Sequence, residues 1–311
     1  LITNAPPPDD YEPLHDVANV RLGRPVGEPL LSRDEVLEIL PTLDGLINQG
    51  ELTVDRNLLE AAPRLKIIAN VAIGTNNLDL DAMRQHGVIA TNAPDAFTDA
   101  TADAAFALLL ALARNIPDAD RFVRNGHWPE AGFQPGMWDG MELRGKTLGI
   151  IGFGKIGRAV ADRAEAFGMN VLVHSRSAAH EPRFRALDEL MASCDVISLH
   201  VPLTDDTRHL IDQAQLKRMR SSAFLINLAR GPVVDEAALV EALQAGELAG
   251  AALDVFEDEP NVHPDLLTMD NVVLTPHLGG GTRDSRRRAR RLCADNVARV
   301  VQGRPPLNEV T

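Results

Sequence analysis

The chain has 311 residues, 45% of them hydrophobic, and a formal net charge of −13. This length predicts two globular domains with sizeable cores. The acidic balance argues against general binding to nucleic acid or anionic membranes, because such binding needs a basic face. The two cysteines, Cys194 and Cys293, are far apart without metal-ligand spacing, and no signal or membrane-crossing segment stands out. We therefore expect a cytoplasmic protein with reduced thiols and no metal site.

The first part of the chain predicts alternating strands and helices. Short apolar runs predict strands at 1–3, 45–47, 66–71 and 88–91. Ser32 is placed to cap a helix over 32–40, and Glu35 stands three residues later at the capping-box position. Strands that alternate with helices predict a parallel sheet.

The middle of the chain carries a glycine motif within a strand–turn–helix pattern. An apolar run at 147–151 leads into Gly152, Gly154 and Gly157, followed by a helical segment and a second apolar run at 170–173. In such a unit the first glycine makes the turn, the second admits a pyrophosphate, and the third lets helix pack on strand. The phosphates then lie at the helix N-terminus, where free amides favour anions. The segment therefore predicts a dinucleotide-binding site.

The residues after the second strand bear on the choice of dinucleotide. NAD-binding units place an acidic residue about 20 positions beyond the glycines, to bind the ribose hydroxyl. Here Ser175 holds that position and is followed by Arg176 and Ser177. Hydroxyl and guanidinium groups would bind the extra phosphate of NADP. We expect NADP to be preferred, the alternative being that Arg176 is a solvated loop arginine and the site accepts NAD.

The strand pattern continues, with further strands predicted at 195–199, 223–228, 249–254 and 271–275. Long helices near 98–115 and 283–302 would bridge two domains, a discontinuous one (1–94 plus 284–311) and an inserted nucleotide-binding one (95–283). The fold expected is α/β, with two doubly wound, Rossmann-like parallel-sheet domains and a flavodoxin-like substrate domain. The last helix carries a basic cluster that wraps most of its circumference and predicts a solvated or interface face: Arg283, Arg286, Arg287, Arg288, Arg290 and Arg291.

Three side chains of catalytic type follow the last three strands. Arg230 comes after the strand at 223–228, Glu259 after 249–254, and His277 after 271–275. Ligands of open parallel sheets bind beyond the carboxyl ends of strands. An arginine can bind a carboxylate, a histidine can donate a proton, and a carboxylate can hold that histidine protonated. Taken singly, they could equally be a surface arginine, a loop acid and a structural histidine. Together they predict hydride-transfer chemistry.

Longer motifs around these residues resemble a known family. The blocks NLARGPVVDEAAL (227–239), GAALDVFEDEP (250–260), NVVLTPHLGGGT (271–282) and DATADAAFALLLALARNI (99–116) are similar to those of the D-isomer-specific 2-hydroxyacid dehydrogenases. The resemblance spans nearly the whole chain and is greatest to the glyoxylate/hydroxypyruvate reductase branch. Several members of that branch also have a small residue followed by arginine where Ser175 and Arg176 stand.

The resemblance implies roles for individual residues. Arg230 would bind the substrate carboxylate and carbonyl. His277 would be the general acid of reduction, with Glu259 hydrogen-bonded to it. Asp254 would accept from the nicotinamide carboxamide, and Thr101 would approach the cofactor phosphates. The full set of implied cofactor contacts is Thr101, Gly152, Gly154, Lys155, Ile156, Gly157, Ser175, Arg176, Ser177, His200, Val201, Pro202, Thr207, Leu228, Ala229, Arg230, Asp254, His277 and Gly279.

The resemblance also implies a small substrate-binding loop. Backbone amides of Val71, Ala72, Ile73 and Gly74 would hold the substrate carboxylate, with Arg230 and His277 as the other substrate contacts. The chain departs from the family here, because Ala72-Ile73-Gly74 replaces the commoner Gly-aromatic or Gly-Thr forms. Backbone donors do not need a particular side chain, so the departure bears on substrate identity rather than on reaction type.

The activity implied is NAD(P)H-dependent reduction of small 2-oxo acids to D-2-hydroxy acids by a homodimer. Within the same class, reduction of hydroxyphenylpyruvate or 2-ketogluconate is the alternative, and phosphoglycerate oxidation is disfavoured because no basic phosphate pocket is visible. A non-catalytic NAD(P)-sensing scaffold is the alternative from another class. Trp138 would either reach the partner subunit's active site or pack in the dimer interface.

Overall fold

A computed structural model describes residues 1–25, 27–178 and 180–310. The chain divides into two compact units, the first formed by Leu1–Phe97 with Gly281–Thr311 and the second by Thr98–Gly280. The sequence predicts a first domain made of residues 1–94 and 284–311. Each unit contains one all-parallel sheet, which confirms the predicted fold class of two doubly wound α/β domains.

The strands and helices follow one another in the alternation that the sequence predicts. The strands are β1 (Ile2–Ala5), β2 (Leu22–Pro25), β3 (Gly45–Asn48), β4 (Ile67–Asn70), β5 (Ile89–Thr91), β6 (Thr147–Ile151), β7 (Asn170–His174), β8 (Val196–Leu199), β9 (Phe224–Asn227), β10 (Gly250–Leu253) and β11 (Val272–Leu274). The helices are α1 (Arg33–Ile39), α2 (Arg56–Glu60), α3 (Leu80–Gln85), α4 (Thr98–Ala113), α5 (Ile116–Arg124), α6 (His127–Ala131), α7 (Lys155–Ala166), α8 (Leu187–Ser193), α9 (Gln213–Leu216), α10 (Glu236–Gln244) and α11 (Arg283–Val301).

The first unit has a five-stranded sheet in the order β2-β1-β3-β4-β5. The structure confirms the four predicted strands, whereas β2 was not predicted. Its sequence, LGRP, has neither an apolar run nor an alternating pattern. Gly23 explains how it pairs, since a Cβ there would lie 2.2 Å from the carbonyl oxygen of Thr3 on β1. The edge strand therefore depends on one close backbone approach rather than on hydrophobic patterning.

The predicted helix start at Ser32 is confirmed. The Ser32 hydroxyl accepts from the amide of Glu35 at 3.3 Å, and the Glu35 carboxylate accepts from the amide of Ser32 at 2.8 Å. Each side chain thus satisfies an amide that the first turn of a helix leaves without a partner.

The second unit has a six-stranded sheet in the order β11-β10-β9-β8-β6-β7. The chain passes from β6 to β7 on one side, then returns to β8 on the other side of β6. The strand order therefore reverses between β6 and β8, which is where open parallel sheets bind ligands. Both faces are covered by apolar clusters, one of which contains most of α4, and buried strands with covered faces are what an all-parallel sheet requires.

The basic cluster of α11 corrects one expectation. Arg290 is not part of a solvated face, because its side chain is only 9% exposed and pairs with the equally buried Asp10 at 3.1 Å. Arg291 pairs with Glu12, and Arg288 donates to the carbonyl of Ala96 at 3.0 Å. The acidic residues that follow β1 therefore bind much of the cluster within the first unit.

Two smaller expectations concern the cysteines and the membrane. Cys194 and Cys293 are both unpaired and buried, and burial raises the pKa of each thiol, that of Cys194 to about 11. Within the described ranges, no helix combines the length and the apolar composition needed to cross a bilayer.

Candidate active site

The glycine turn of the second unit joins β6 to α7 and has the shape that a pyrophosphate needs. Gly152 has a φ of +97°, and a Cβ there would lie 2.5 Å from the carbonyl of His200. A Cβ at Gly157 would lie 2.1 Å from the carbonyl oxygen of Gly152. Gly154 differs, because a Cβ there would meet no atom within 4 Å. Two glycines thus permit packing, and the third keeps open space at the start of α7, which fits a dinucleotide phosphate.

The residues beyond β7 form an exposed polar turn. Ser175 and Ser177 bring their hydroxyl oxygens within 3.2 Å of each other, and Arg176 begins a short 3₁₀ turn, Arg176–Ala178. The Arg176 guanidinium pairs with Asp206 at 3.0 Å, and both side chains are more than three-quarters exposed. An ion pair so exposed contributes little stability, so a phosphate can displace the carboxylate from Arg176.

The loop after β8 supplies other residues predicted to contact the cofactor. His200 lies beside the glycine turn, its Nε2 is 2.8 Å from the Ser198 hydroxyl, and burial lowers its pKa to about 4. The imidazole is therefore neutral near neutral pH. The Thr207 hydroxyl donates to the carbonyl of Pro202 at 2.6 Å, and this hydrogen bond holds the loop after β8 in place. Val201 follows His200 in the same loop.

Arg230 follows β9 in a turn that the sequence analysis did not explain. The side chain of Asn227 holds this turn at both ends, accepting from the amide of Ala229 at 3.0 Å and donating to the carbonyl of Arg230 at 3.1 Å. The Arg230 guanidinium donates to the Ala229 carbonyl at 2.7 Å. Burial lowers the pKa of Arg230, and the negative charge of Glu259 partly opposes this decrease. Leu228 and Ala229, both buried, complete the turn.

Asp254, at the end of β10, is buried and organises the turn that carries His277. One carboxylate oxygen accepts from the Thr275 hydroxyl at 2.6 Å and from the Leu278 amide at 2.8 Å, while the other accepts from the Gly279 amide at 2.7 Å. The first oxygen is thus occupied by two protein donors. The second has one protein donor, which leaves a lone pair for a further donor such as a carboxamide.

His277 and Glu259 are brought together by the ends of β10 and β11. Nδ1 of His277 donates to the Glu259 carboxylate at 2.9 Å, which leaves Nε2 for a substrate. Burial raises the pKa of Glu259, but the hydrogen bond and charge of His277, the amide of Phe256 and the charge of Arg230 outweigh it. The pKa of Glu259 is therefore below its usual range, and the group is a carboxylate throughout the neutral range.

The backbone at His277 is itself unusual. Its φ is +52°, in the left-handed region that non-glycine residues rarely adopt. Its amide donates to the carbonyl of Asp254 at 2.9 Å, and the neighbouring amides are held by the Asp254 carboxylate. Asp254 thus fixes a strained conformation that directs the imidazole, which is half exposed at 51%.

A second histidine–glutamate pair was not found by sequence reasoning. Nε2 of His209 lies 2.6 Å from the Glu257 carboxylate, whose other oxygen accepts from the amide of Glu236 at 3.2 Å. The Glu236 carboxylate in turn accepts from the amide of Glu257 at 3.0 Å. Beside this pair, a Cβ on Gly231 would lie 1.8 Å from the Phe256 carbonyl oxygen. These contacts hold the loop of Arg230 against the loop of Glu259.

The remaining cofactor candidates lie in the second unit. Thr101 is buried on α4, and its methyl carbon would lie 3.8 Å from a Cβ at Gly279. Lys155 and Ile156 form the first positions of α7, where helix amides point toward a bound anion. The second unit thus brings the glycine turn, Arg230, Glu259 and His277 to one carboxyl edge of one sheet, the last three after the adjacent strands β9, β10 and β11.

The predicted substrate loop, residues 71–74, belongs to the first unit and follows β4. Three of its carbonyls are taken up by protein donors: the Ala72 oxygen by the amide of Ala93 at 2.9 Å, that of Ile73 by Asn92 at 2.7 Å, and that of Gly74 by Asn70 at 3.0 Å. In a trans peptide the amide points opposite to the carbonyl. The amide of Val71 donates to the carbonyl of Asn48 at 2.7 Å, so, contrary to the prediction, it is not available to a substrate carboxylate. Within the described residues, the amides of Ile73 and Gly74 donate to no protein acceptor. They are thus placed to receive an anion.

The chain is similar to a known protein family over most of its length. Residues 106–279 match the family model described as "D-isomer specific 2-hydroxyacid dehydrogenase, NAD binding domain". A glyoxylate reductase of Thermococcus onnurineus is 43% identical over 98% of this chain and 93% of its own length.

Solved structures agree over the whole chain. The protein TT0316 of Thermus thermophilus superposes with a TM-score of 0.94 at 39% identity, over 100% of this chain and 99% of that one. An NADPH-dependent glyoxylate/hydroxypyruvate reductase of Sinorhizobium meliloti, solved with NADP and malonate, has a TM-score of 0.84 at 32% identity, over 100% of this chain and 95% of that one. These matches confirm the resemblance in the sequence: the chain belongs to the D-isomer-specific 2-hydroxyacid dehydrogenase family.

Proposed function

We propose that this protein reduces small 2-oxo acids of the glyoxylate and hydroxypyruvate type to D-2-hydroxy acids, using NADPH in preference to NADH. The observation that carries the proposal is the Glu259–His277 pair next to Arg230, on the sheet that bears the glycine turn. The relatives named above are glyoxylate and glyoxylate/hydroxypyruvate reductases, which favours these substrates over hydroxyphenylpyruvate or 2-ketogluconate.

The cofactor is held by the residues around the glycine turn. Gly154 would leave space for the pyrophosphate, the first amides of α7 would bind it, and Asp254 would accept from the carboxamide. The reduced nicotinamide, when bound, supplies the hydride for the substrate carbonyl. Ser175, Arg176 and Ser177 take the additional phosphate of NADPH as Arg176 leaves Asp206.

The substrate is held by its carboxylate and its carbonyl. The amides of Ile73 and Gly74 bind the carboxylate, and Arg230 binds the carboxylate and polarises the carbonyl. His277 donates a proton from Nε2 to the carbonyl oxygen, while Glu259 stabilises the imidazolium through Nδ1. The burial of the Arg230 guanidinium strengthens its attraction for an anion, because few water molecules compete.

We also propose that the protein forms a homodimer. Four large apolar side chains on and after α5 and α6 are at least half exposed: Ile116 (55%), Val123 (50%), Trp128 (51%) and Phe133 (86%). A run of such residues on one segment is typical of a protein interface. Trp138 packs against Phe122 of the same chain, with ring centroids 5.4 Å apart. Light scattering should report twice the monomer mass, and a monomer would contradict this part of the proposal.

A substrate panel tests the proposed activity. Glyoxylate, hydroxypyruvate, hydroxyphenylpyruvate and 2-ketogluconate are each supplied with NADPH and with NADH, and cofactor oxidation is followed. We expect the greatest kcat/KM for glyoxylate or hydroxypyruvate with NADPH. If hydroxyphenylpyruvate or 2-ketogluconate were the best substrate, the substrate class would be wrong. If no 2-oxo acid oxidised either cofactor, the proposed activity would be wrong.

A further inference from the structure

Three asparagine side chains form a continuous chain of hydrogen bonds that ends at the substrate loop. The amide of Leu307 donates to Asn296 Oδ1 at 2.7 Å, and Asn296 Nδ2 donates to Asn308 Oδ1 at 3.0 Å. Asn308 Nδ2 donates to Asn92 Oδ1 at 3.0 Å, and Asn92 Nδ2 donates to the carbonyl of Ile73 at 2.7 Å. The segment after α11 is thereby connected to residues 71–74 within the first unit.

The direction of this asparagine relay is fixed by its two ends. The backbone amide of Leu307 can only donate, and the carbonyl of Ile73 can only accept. If one asparagine amide were turned over, two donors or two acceptors would face each other. Asn92 and Asn296 are buried, so water does not offer them substitute partners. All three side-chain dipoles therefore point the same way along the relay.

The last bond of the relay acts on a single peptide group. A donor on the Ile73 carbonyl draws electron density toward that oxygen, and the same peptide carries the amide of Gly74. Hydrogen bonds aligned head to tail polarise one another, so the relay makes this amide a stronger donor than an isolated bond would. The Gly74 amide is one of those left without a protein acceptor among the described residues.

The C-terminal segment has further contacts that keep the relay in place. The amide of Val310 donates to the carbonyl of Ala90 on β5 at 3.0 Å. Asn308 Nδ2 also lies 3.0 Å from the carbonyl of Asn92. Asn308 itself is only half-buried, so it can be replaced with less risk to the core than Asn92 or Asn296.

We infer that Asn296, Asn308 and Asn92 are positioning residues for the substrate carboxylate, because they orient and polarise the Ile73–Gly74 peptide that binds it. This rests on the proposed function, in which the amides of Ile73 and Gly74 hold that carboxylate. The proposed role is indirect, because the relay acts through the Ile73–Gly74 peptide. It assigns the last residues of the chain a role in substrate affinity rather than in the proton or hydride step.

Two substitutions at Asn308 test the kinetic consequence. Asn308→Ala removes the relay's donor to Asn92, and Asn308→Asp replaces that donor by a carboxylate oxygen of opposite polarity. A binding interaction equal in ground and transition states affects KM rather than kcat. We expect the KM for the 2-oxo acid to rise about fivefold in Asn308→Ala and at least about tenfold in Asn308→Asp. The kcat and the Kd for NADPH should stay within about twofold in both.

The matched control is Asn57→Asp, the same isosteric change at an exposed position on α2 of the same unit. It should leave the KM unchanged. If Asn308 served folding alone, both variants should have lower thermal stability and yield less active protein. Their KM would then not rise from Asn308→Ala to Asn308→Asp. That pattern, or an Asn308→Asp variant with the KM of the original chain, would overturn the inference.

A spectroscopic measurement separates this inference from the proposed activity. The chain has 23 glycines, so selective ¹⁵N-glycine labelling gives a spectrum in which the Gly74 amide can be assigned. Loss of polarisation should move the Gly74 amide proton upfield in both Asn308 variants, and more in Asn308→Asp. An unmoved Gly74 resonance would overturn the relay even in an active enzyme. If the original chain reduces no 2-oxo acid but the Gly74 resonance still moves in the two Asn308 variants, the proposed function alone would be overturned.

Discussion

The glycine turn of the second unit and the loop 71–74 of the first both present backbone amides, but different parts of the chain hold them in place. The turn is shaped by its own residues, because the absence of a side chain at Gly157 lets α7 approach Gly152. The loop is shaped by amide side chains: that of Asn70, directly before it, and those of Asn92 and, through the relay, Asn308 from other segments. An anion-binding backbone can thus depend on local residue size or on distant hydrogen-bond donors.

Among changes within these two regions, the largest effect should come from adding a methyl group inside the turn. Gly157→Ala places a carbon 2.1 Å from a backbone oxygen, so the turn or α7 must move. We expect a loss of about 3 kcal/mol of stability, which lowers the melting temperature by roughly 10 °C. The Kd for NADPH should rise about 100-fold, a comparable free energy.

Gly154→Ala is the matched control, because its Cβ would meet no protein atom. Gly154→Ala should have the melting temperature of the original chain. It should weaken NADPH binding only because the added methyl group crowds the phosphates. Equal melting temperatures for the two alanine variants would contradict the local account of the turn.

The two regions should also differ in their response to acid. The turn lies beside His200, whose pKa burial lowers to about 4 from an ordinary 6.5, whereas the loop is held by amides that do not titrate. The unfolded chain therefore binds a proton that the folded state does not as the pH falls from 6.5 to about 4. Stability should decline across this window, by at most about 3 kcal/mol from this group.

Urea unfolding of the cofactor-free protein at several pH values measures this decline. His200→Gln should flatten the slope between pH 6.5 and 4. A slope identical in the original chain and in His200→Gln would show that His200 is not held neutral.

The cofactor preference should change by a smaller amount, since it depends on exposed charges. Arg176→Asp should lower the ratio of kcat/KM for NADPH to that for NADH at least about tenfold, roughly 1.4 kcal/mol. Asp206→Asn frees Arg176 from its partner and should improve the KM for NADPH about twofold, with Asp205→Asn as the neighbouring control. Unchanged NADPH selectivity in Arg176→Asp would exclude Arg176 from phosphate binding.

This contrast explains what the sequence predicted and what it did not. The glycine turn, the strands of the second unit and the Ser32–Glu35 capping box were predictable, because each depends on residues a few positions apart. The edge strand β2 was missed because its close pairing with β1 depends on the absence of a side chain at Gly23, not on a hydrophobic pattern. Arg290 was misplaced because its partner, Asp10, lies on a distant segment.

The candidate site shows the same limit. Arg230, Glu259 and His277 could be predicted from their positions after successive strands, and the structure joins Glu259 to His277. Neither Asn227, the His209–Glu257 pair nor the asparagine relay was predicted. Each acts through a hydrogen bond to a loop. The position of a single asparagine or histidine in the sequence does not indicate which residue it bonds to. Asparagines at the ends of β3 and β4 and after β5 were the visible signal.

The proton transfer by His277 is the central claim, and His277→Ala tests it most directly. The rate of glyoxylate reduction is measured at saturating NADPH, together with the Kd for NADPH and the melting temperature. We predict a kcat lower by about 10²–10⁴-fold, the range expected for losing a general acid, with cofactor binding and fold retained. A His277→Ala variant that binds NADPH and keeps most of the original kcat would contradict the account.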